Sequence, residues 1–269
     1  MVHSARKREA AIQIDQSIPL ITGSNRGLGA AFIDELFERG AEKIYAGARD
    51  PDNLADAVVR HGDKLIPLQL DVTQPDQIQA AVDQCSDVNI LVSNAAITCI
   101  KPILSEPTID DFRETMEINY FGPLQLIRGF APVLARNGGG GIMQVVSMAG
   151  LLCATAATAY SASKAACAML CQGVMAETEE QGTLVSISYP GFFDTRMADG
   201  FDVPKPTPRQ IARNTVDGFE NGQTAVFPDT FSKMTRDAML KDMDSVFNNQ
   251  ALVVGQLVGA FMTHPEAGQ

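Results

Sequence analysis

Short apolar runs alternate with stretches of helical periodicity from Ile18 to Phe227, and the first run ends in glycine. This alternation constrains the fold more than any other feature. A strand, a crossover helix and a second strand make a parallel pair, and repeats of that unit build one sheet covered on both faces. The apolar runs are Ile18–Thr22, Lys43–Ala48, Leu65–Val72, Val88–Ser93, Ile142–Ser147, Leu184–Tyr189 and the short Thr224–Phe227. Runs such as Ile90-Leu91-Val92 lack polar alternation, as strands buried on both faces require. Leu28–Arg39 carries Leu28, Phe32, Ile33, Leu36 and Phe37 at helical spacing. Further helices are expected at Asn53–Arg60, Pro75–Cys85, Thr108–Arg136 with Thr108 as N-cap, Ala159–Gln181 and Arg209–Asn221, followed by a helical remainder and a polar tail. The expected fold is α/β: a single doubly wound parallel sheet of about seven strands with helices on both faces.

The chain has 269 residues, which suits one such domain, and no repeat or shift of composition marks a second. We expect a flexible N-terminal arm over residues 1–16, a single domain over 17–269 and a lid at about 192–208, where three prolines interrupt the pattern. The formal net charge of -11 excludes a nucleic-acid partner, because phosphate binding needs a basic face. The start of the chain is polar and lacks the apolar core of a secretory signal, and no apolar run reaches the length of about 18 residues needed to span a membrane. The five cysteines have no zinc-like spacing, so no metal is expected. An odd count without a signal points to free thiols in a reducing compartment, and the expected location is cytoplasmic.

The first strand runs into Thr22-Gly23-Ser24-Asn25-Arg26-Gly27-Leu28-Gly29 and then a helix. Glycines let the backbone turn tightly and let a phosphate approach, and the helix start offers N–H groups and a positive dipole end. Its position at the first strand-to-helix turn is where a dinucleotide site is expected. The second strand ends in Ala48-Arg49-Asp50. An acid about 20 residues after the glycines would bond ribose hydroxyls, but Ala48 holds that place. Arg49 and Arg26 are suited to a 2′-phosphate, which favours NADP(H) over NAD(H). Asp50, one place on, is the competing reading: an acid there would favour NADH.

Tyr160 and Lys164 lie four apart at the start of a helix and so share a face. A phenol titrates near ~10, and a nearby cation favours its ionised form, so Tyr160 can act as general acid or base. Ser147 closes the fifth strand thirteen residues earlier, where its hydroxyl can fix a carbonyl oxygen. Taken singly, these are ordinary residues: a surface pair and a turn cap. Together they lie on the side of the sheet where the glycine turn opens, and it is as a group that they mark a site.

With these residues in order, the chain resembles the short-chain dehydrogenase/reductase family in its classical branch. The resemblance is carried by Thr22–Gly29, Asp71, Ser93-Asn94-Ala95-Ala96, Asn119, Ser147, Tyr160, Lys164 and Pro190-Gly191. It implies a Rossmann-type sheet and a cofactor site comprising Gly23, Asn25, Arg26, Gly27, Leu28, Gly29, Arg49, Asp71, Val72, Asn94, Ala95, Tyr160, Lys164, Pro190, Gly191 and Thr195. Asp71 and Val72 are to contact the adenine, Asn94 to brace the sheet, and Asn119 to kink its helix and hold a water linked to Lys164. Asn119, Ser147, Tyr160 and Lys164 are then the catalytic group. Ala96 departs from the family's usual glycine without removing a catalytic atom.

Cys99, Ser147, Cys153, Tyr189 and Phe192 are expected in the substrate pocket, with Ile97, Leu152, Phe193 and Met197 beside them. These side chains are mostly apolar. The expected function is therefore hydride transfer between NADP(H) and a carbonyl or secondary alcohol of an apolar small molecule, with Tyr160 moving the proton. Alternatives are action on a larger ring ketone within a biosynthetic or degradative pathway, and a protein that senses NADPH without turnover. Apolar faces at Phe112, Met116 and Leu124, and at Cys167, Leu170 and Val174, together with the resemblance, lead us to expect a homodimer or homotetramer.

Overall fold

A computed structural model describes residues 12–104, 108–153, 157–191, 193, 205–248 and 256–260. The strands are β1 (Pro19–Thr22), β2 (Ile44–Ala48), β3 (Leu65–Gln69), β4 (Ile90–Ser93), β5 (Gly141–Val145), β6 (Leu184–Ser188) and β7 (Ala225–Val226). They form one sheet in the order β3-β2-β1-β4-β5-β6-β7, and every pairing is parallel. The helices are α1 (Gly27–Glu38), α2 (Ala55–His61), α3 (Pro75–Gln84), α4 (Ile109–Met116), α5 (Gly122–Arg136), α6 (Thr158–Glu177), α7 (Pro208–Glu220), α8 (Thr230–Lys241) and α9 (Met243–Asn248).

Successive strand residues point to opposite faces, and the core divides accordingly. Leu20, Leu91, Ile142 and Val185 pack with Leu126, Phe130 and Cys171 of the α5 and α6 side. Ile21, Val92, Met143 and Leu184 pack with Phe32, Leu36, Val216 and Phe219 of the α1 and α7 side. Chain order runs outward in one direction from β1 to β3 and then returns to place β4 on β1's other edge. A crevice opens at such a reversal, beyond the carboxyl ends of the strands, and ligands of these sheets bind there.

Two expectations need correction. Ile14 is fully buried in the α1-side core, so residues 12–16 belong to the folded unit and not to an arm. The helix expected as one stretch over Thr108–Arg136 is two helices joined by a π-helical turn at Glu117–Phe121, where the resemblance implied a kink at Asn119. Asn119 sits in that turn, and both ends of its amide grip one residue: Oδ1 accepts from the Ile97 N–H and Nδ2 donates to the Ile97 carbonyl, each at 2.9 Å. Gly122 follows, and a Cβ there would meet the Val72 side chain at 2.8 Å. The break thus seats α5 against the ends of β3 and β4.

Candidate active site

A cavity of about 1020 Å³ lies over the carboxyl ends of β1, β4 and β5. One end is the glycine turn. Gly23, Asn25, Arg26, Gly27 and Leu28 line it. Gly23 and Gly27 have φ of 63° and 55°, the left-handed region that side chains resist. Gly29 lies beneath, where a Cβ would stand 2.1 Å from the Gly23 carbonyl oxygen. Arg26 is the N-cap of α1 yet makes no side-chain bond to it, and no acid occupies the first turn. The positive end of α1 is left facing the cavity. Asn94 closes the turn from β4, donating to the carbonyls of Thr22 (3.0 Å) and Gly23 (3.2 Å). The Thr22 hydroxyl accepts the N–H groups of Asn94 and Ala95.

Ala48, Arg49, Asp71, Val72, Thr73, Asn94, Ala95 and Ala96 form the adjoining wall. The two candidate ribose-end residues separate here. Arg49 borders the cavity. Asp50 does not: its carboxylate accepts from the Asp52 N–H at 3.1 Å and the Asn53 amide at 3.0 Å, capping a short 3-10 turn at Pro51–Leu54. Asp71 uses one oxygen for the Thr73 N–H and hydroxyl.

The other end of the cavity gathers Ser147, Tyr160, Lys164, Pro190 and Gly191. Ser147 lies just past β5, while Tyr160 and Lys164 occupy successive turns of α6. The Ser147 and Tyr160 side chains face the cavity together. Lys164 Nζ stands 5.7 Å from the Tyr160 ring centre and donates to the Val145 carbonyl at 3.1 Å. Burial pushes the Tyr160 phenol up to about 12, against the Ser147 hydroxyl. Burial also brings the Lys164 ammonium down to about 8, against the thiols of Cys167 and Cys171. Desolvation outweighs the Ser147 hydroxyl's effect, so Tyr160 is held as a protonated acid.

The dinucleotide pattern therefore has a physical counterpart: a cavity with a phosphate-ready helix end, an open arginine-bearing wall and a half-buried phenol. A model of the short chain dehydrogenase family matches residues 17–203. The chain is a short-chain dehydrogenase/reductase. A solved short-chain dehydrogenase of Burkholderia cenocepacia, in complex with NADP, is 31% identical with a TM-score of 0.84, covering 88% of this chain and 98% of its own. An uncharacterized oxidoreductase of Staphylococcus saprophyticus is 25% identical, covering 76% of this chain and 92% of the relative. Mouse estradiol 17-beta-dehydrogenase 2 is 28% identical over 76% of this chain and 55% of its own length.

Within this dehydrogenase, several residues stand elsewhere than expected. Asn119 is buried, and its side chain meets Ile97 and the Ser163 hydroxyl (3.0 Å). Cys99 is turned into the interior and lines no part of the cavity, while Ile97, Thr98 and Ile100 beside it do. Tyr189 is buried and stacks on Phe227 with ring centres 5.2 Å apart, because β6 carries it to the core face. Leu152 and Cys153 line a separate cavity of about 280 Å³ with Thr158, Ser161 and Ala165. Phe193 borders the main cavity. Phe192, Thr195, Met197 and most of the expected lid lie outside the described residues. Glu114, Glu117 and Ile118 also line the cavity, and helical periodicity alone did not single them out. Among the described residues no group of acidic, histidine and cysteine side chains is suited to a metal, and no helix is long and apolar enough to cross a membrane.

Proposed function

We propose that the protein is an NADP(H)-dependent oxidoreductase that interconverts a carbonyl and a secondary alcohol on an apolar substrate. The observation that carries this reading is the placing of Ser147, Tyr160 and Lys164 at one end of a cavity whose other end is the glycine turn. A nicotinamide bound between these ends supplies or accepts the hydride. The residues of the chain handle the oxygen and its proton.

In the reducing direction the substrate oxygen sits between the Ser147 and Tyr160 hydroxyls, which line the same end of the cavity. Ser147 donates a hydrogen bond that fixes the oxygen and stabilises its growing charge. Tyr160, held protonated by burial, gives its proton to that oxygen. Lys164 stands beside the ring and keeps the phenolate that results from being an isolated charge. In the oxidising direction each transfer runs backwards.

The preference for NADP(H) rests on Arg26 and Arg49. Both border the cavity, and neither has an ion-pair partner among the described residues. The acid that would select NAD(H), Asp50, is committed to a helix cap. The Burkholderia cenocepacia relative's complex with NADP supports the same choice. Ile97, Ile100, Ile118 and Phe193 make the substrate side apolar. A larger ring ketone is the second reading, favoured by the likeness to mouse estradiol 17-beta-dehydrogenase 2.

Replacing Tyr160 by Phe tests the mechanism. Turnover of ketones with NADPH should fall by roughly 10²–10⁴-fold, while NADPH affinity stays within about twofold. A Tyr160→Phe enzyme with full turnover would remove Tyr160 from the chemistry.

A further inference from the structure

Asp229 is buried, 4% exposed, and has no part in the chemistry above. It is the N-cap of α8: Oδ1 accepts the Ser232 N–H at 2.8 Å. A cap needs only one oxygen. Thr207 caps α7 and Thr108 caps α4 with a single hydroxyl each. The second carboxylate oxygen of Asp229 leaves its own helix and accepts the Gly191 N–H at 2.8 Å, across 38 residues of chain.

That N–H belongs to the peptide joining Pro190 to Gly191, both of which line the cavity beside Ser147. The carbonyl of the same peptide accepts the Met148 N–H at 3.0 Å and the Ser147 hydroxyl at 3.4 Å. The peptide is therefore clamped on both sides: by the segment carrying Ser147 on one, by a buried carboxylate on the other. Space is tight as well, since a Cβ on Gly191 would lie 2.8 Å from Asp229 Oδ1 and 3.0 Å from the Phe231 ring. Phe231 packs with Met148 and Leu152, so α8 leans on the segment that follows Ser147. Burying a carboxylate is costly, and burial pushes the pKa of Asp229 up against the bonds from Gly191 and Ser232. A serine would cap α8 without that cost, so the acid is explained by its second bond.

We infer that Asp229 is a positioning residue of the hydride-transfer site, fixing the Pro190–Gly191 peptide so that it seats the nicotinamide end of NADP(H) beside Ser147. The inference rests on the functional reading above and adds a residue to it. Asp229→Ser keeps a capping oxygen but cannot reach Gly191. Ser232→Ala loosens the start of α8 and leaves the Gly191 bond in place.

Affinity is to be measured by titration for two probes, NADPH and 2′-phospho-ADP-ribose, which lacks the nicotinamide. Asp229→Ser should weaken NADPH by about fivefold or more, the worth of one lost buried hydrogen bond. It should leave 2′-phospho-ADP-ribose unchanged, and Ser232→Ala should change neither. Asp229→Asn, which keeps one acceptor oxygen, is read in the same way where Asp229→Ser does not fold. Equal weakening of both probes, unaltered NADPH binding, or the same pattern from Ser232→Ala would overturn the role of Asp229. Wild-type protein that binds neither NADPH nor NADH would instead overturn the functional reading on which it stands.

Discussion

Tyr160 and Lys164 are four residues apart in the sequence, and the spacing alone puts them on one helix face. It says nothing of the dielectric around them. Lys164 is 2% exposed, and burial rather than charge sets its behaviour. Its proton affinity is lower in the folded chain (about 8) than in the unfolded chain, whose ordinary value is 10.5. Below pH 8 both states carry the charge, and folding bears the cost of burying it. Between those two values the unfolded chain holds more protons, so this residue's contribution to stability rises with pH. Relative to Lys164→Met, the wild type should gain up to about 3 kcal/mol as pH rises from about 8 to about 10.5. Urea midpoints at pH 7 and pH 10 for the pair check this. A difference that does not change with pH would mean that Lys164 titrates normally in the fold.

At the scale of elements, the glycine turn is the part where local sequence and tertiary contact agree most closely. Gly29→Ala puts a methyl into the Gly23 carbonyl, a backbone atom that cannot swing aside. The cost should be about 3 kcal/mol, a Tm loss of roughly 6–12 °C, with dinucleotide binding lost alongside; thermal melts with and without NADPH measure both. The turn was legible because glycine spacing, an apolar strand before it and a helical stripe after it follow one another directly between Ile18 and Phe37. The parallel sheet was legible for the same reason. The break at Glu117–Phe121 was not legible as a π turn, since Asn119 bonds to Ile97, 22 residues away, and helical periodicity carries no trace of that bond. The pocket wall was hidden by the same kind of effect. Cys99 and Tyr189 stand next to lining residues but are turned into the interior. Asp229 looks like any helix cap until Gly191 is found above it.

Across the whole molecule, the reversal of strand order between β1 and β4 brings together residues from Gly23 to Gly191 that the sequence scatters. The surface carries a further consequence. Cys167 and Val174, expected on an outward apolar face, lie in the molecule's own core. Met169 of α6, Phe121 beside α5 and Ile109 of α4 are among the large apolar side chains that remain outside, 66%, 42% and 65% exposed. Self-association through these helices is the proposal they support, and light scattering at micromolar concentration should return at least twice the chain mass of 28.8 kDa. A monomeric mass would remove it, and Met169→Glu should then leave the mass unchanged.

The account turns on the cofactor, and a fluorescence titration of the wild-type protein with NADPH and with NADH tests it before any substrate is known. The account predicts NADPH binding tighter by about tenfold or more, a difference of about 1.4 kcal/mol, and a preference largely lost in Arg49→Ala. NADH binding as tight as NADPH or tighter would contradict the assignment of Arg26 and Arg49 to the 2′-phosphate and would return Asp50 to the ribose.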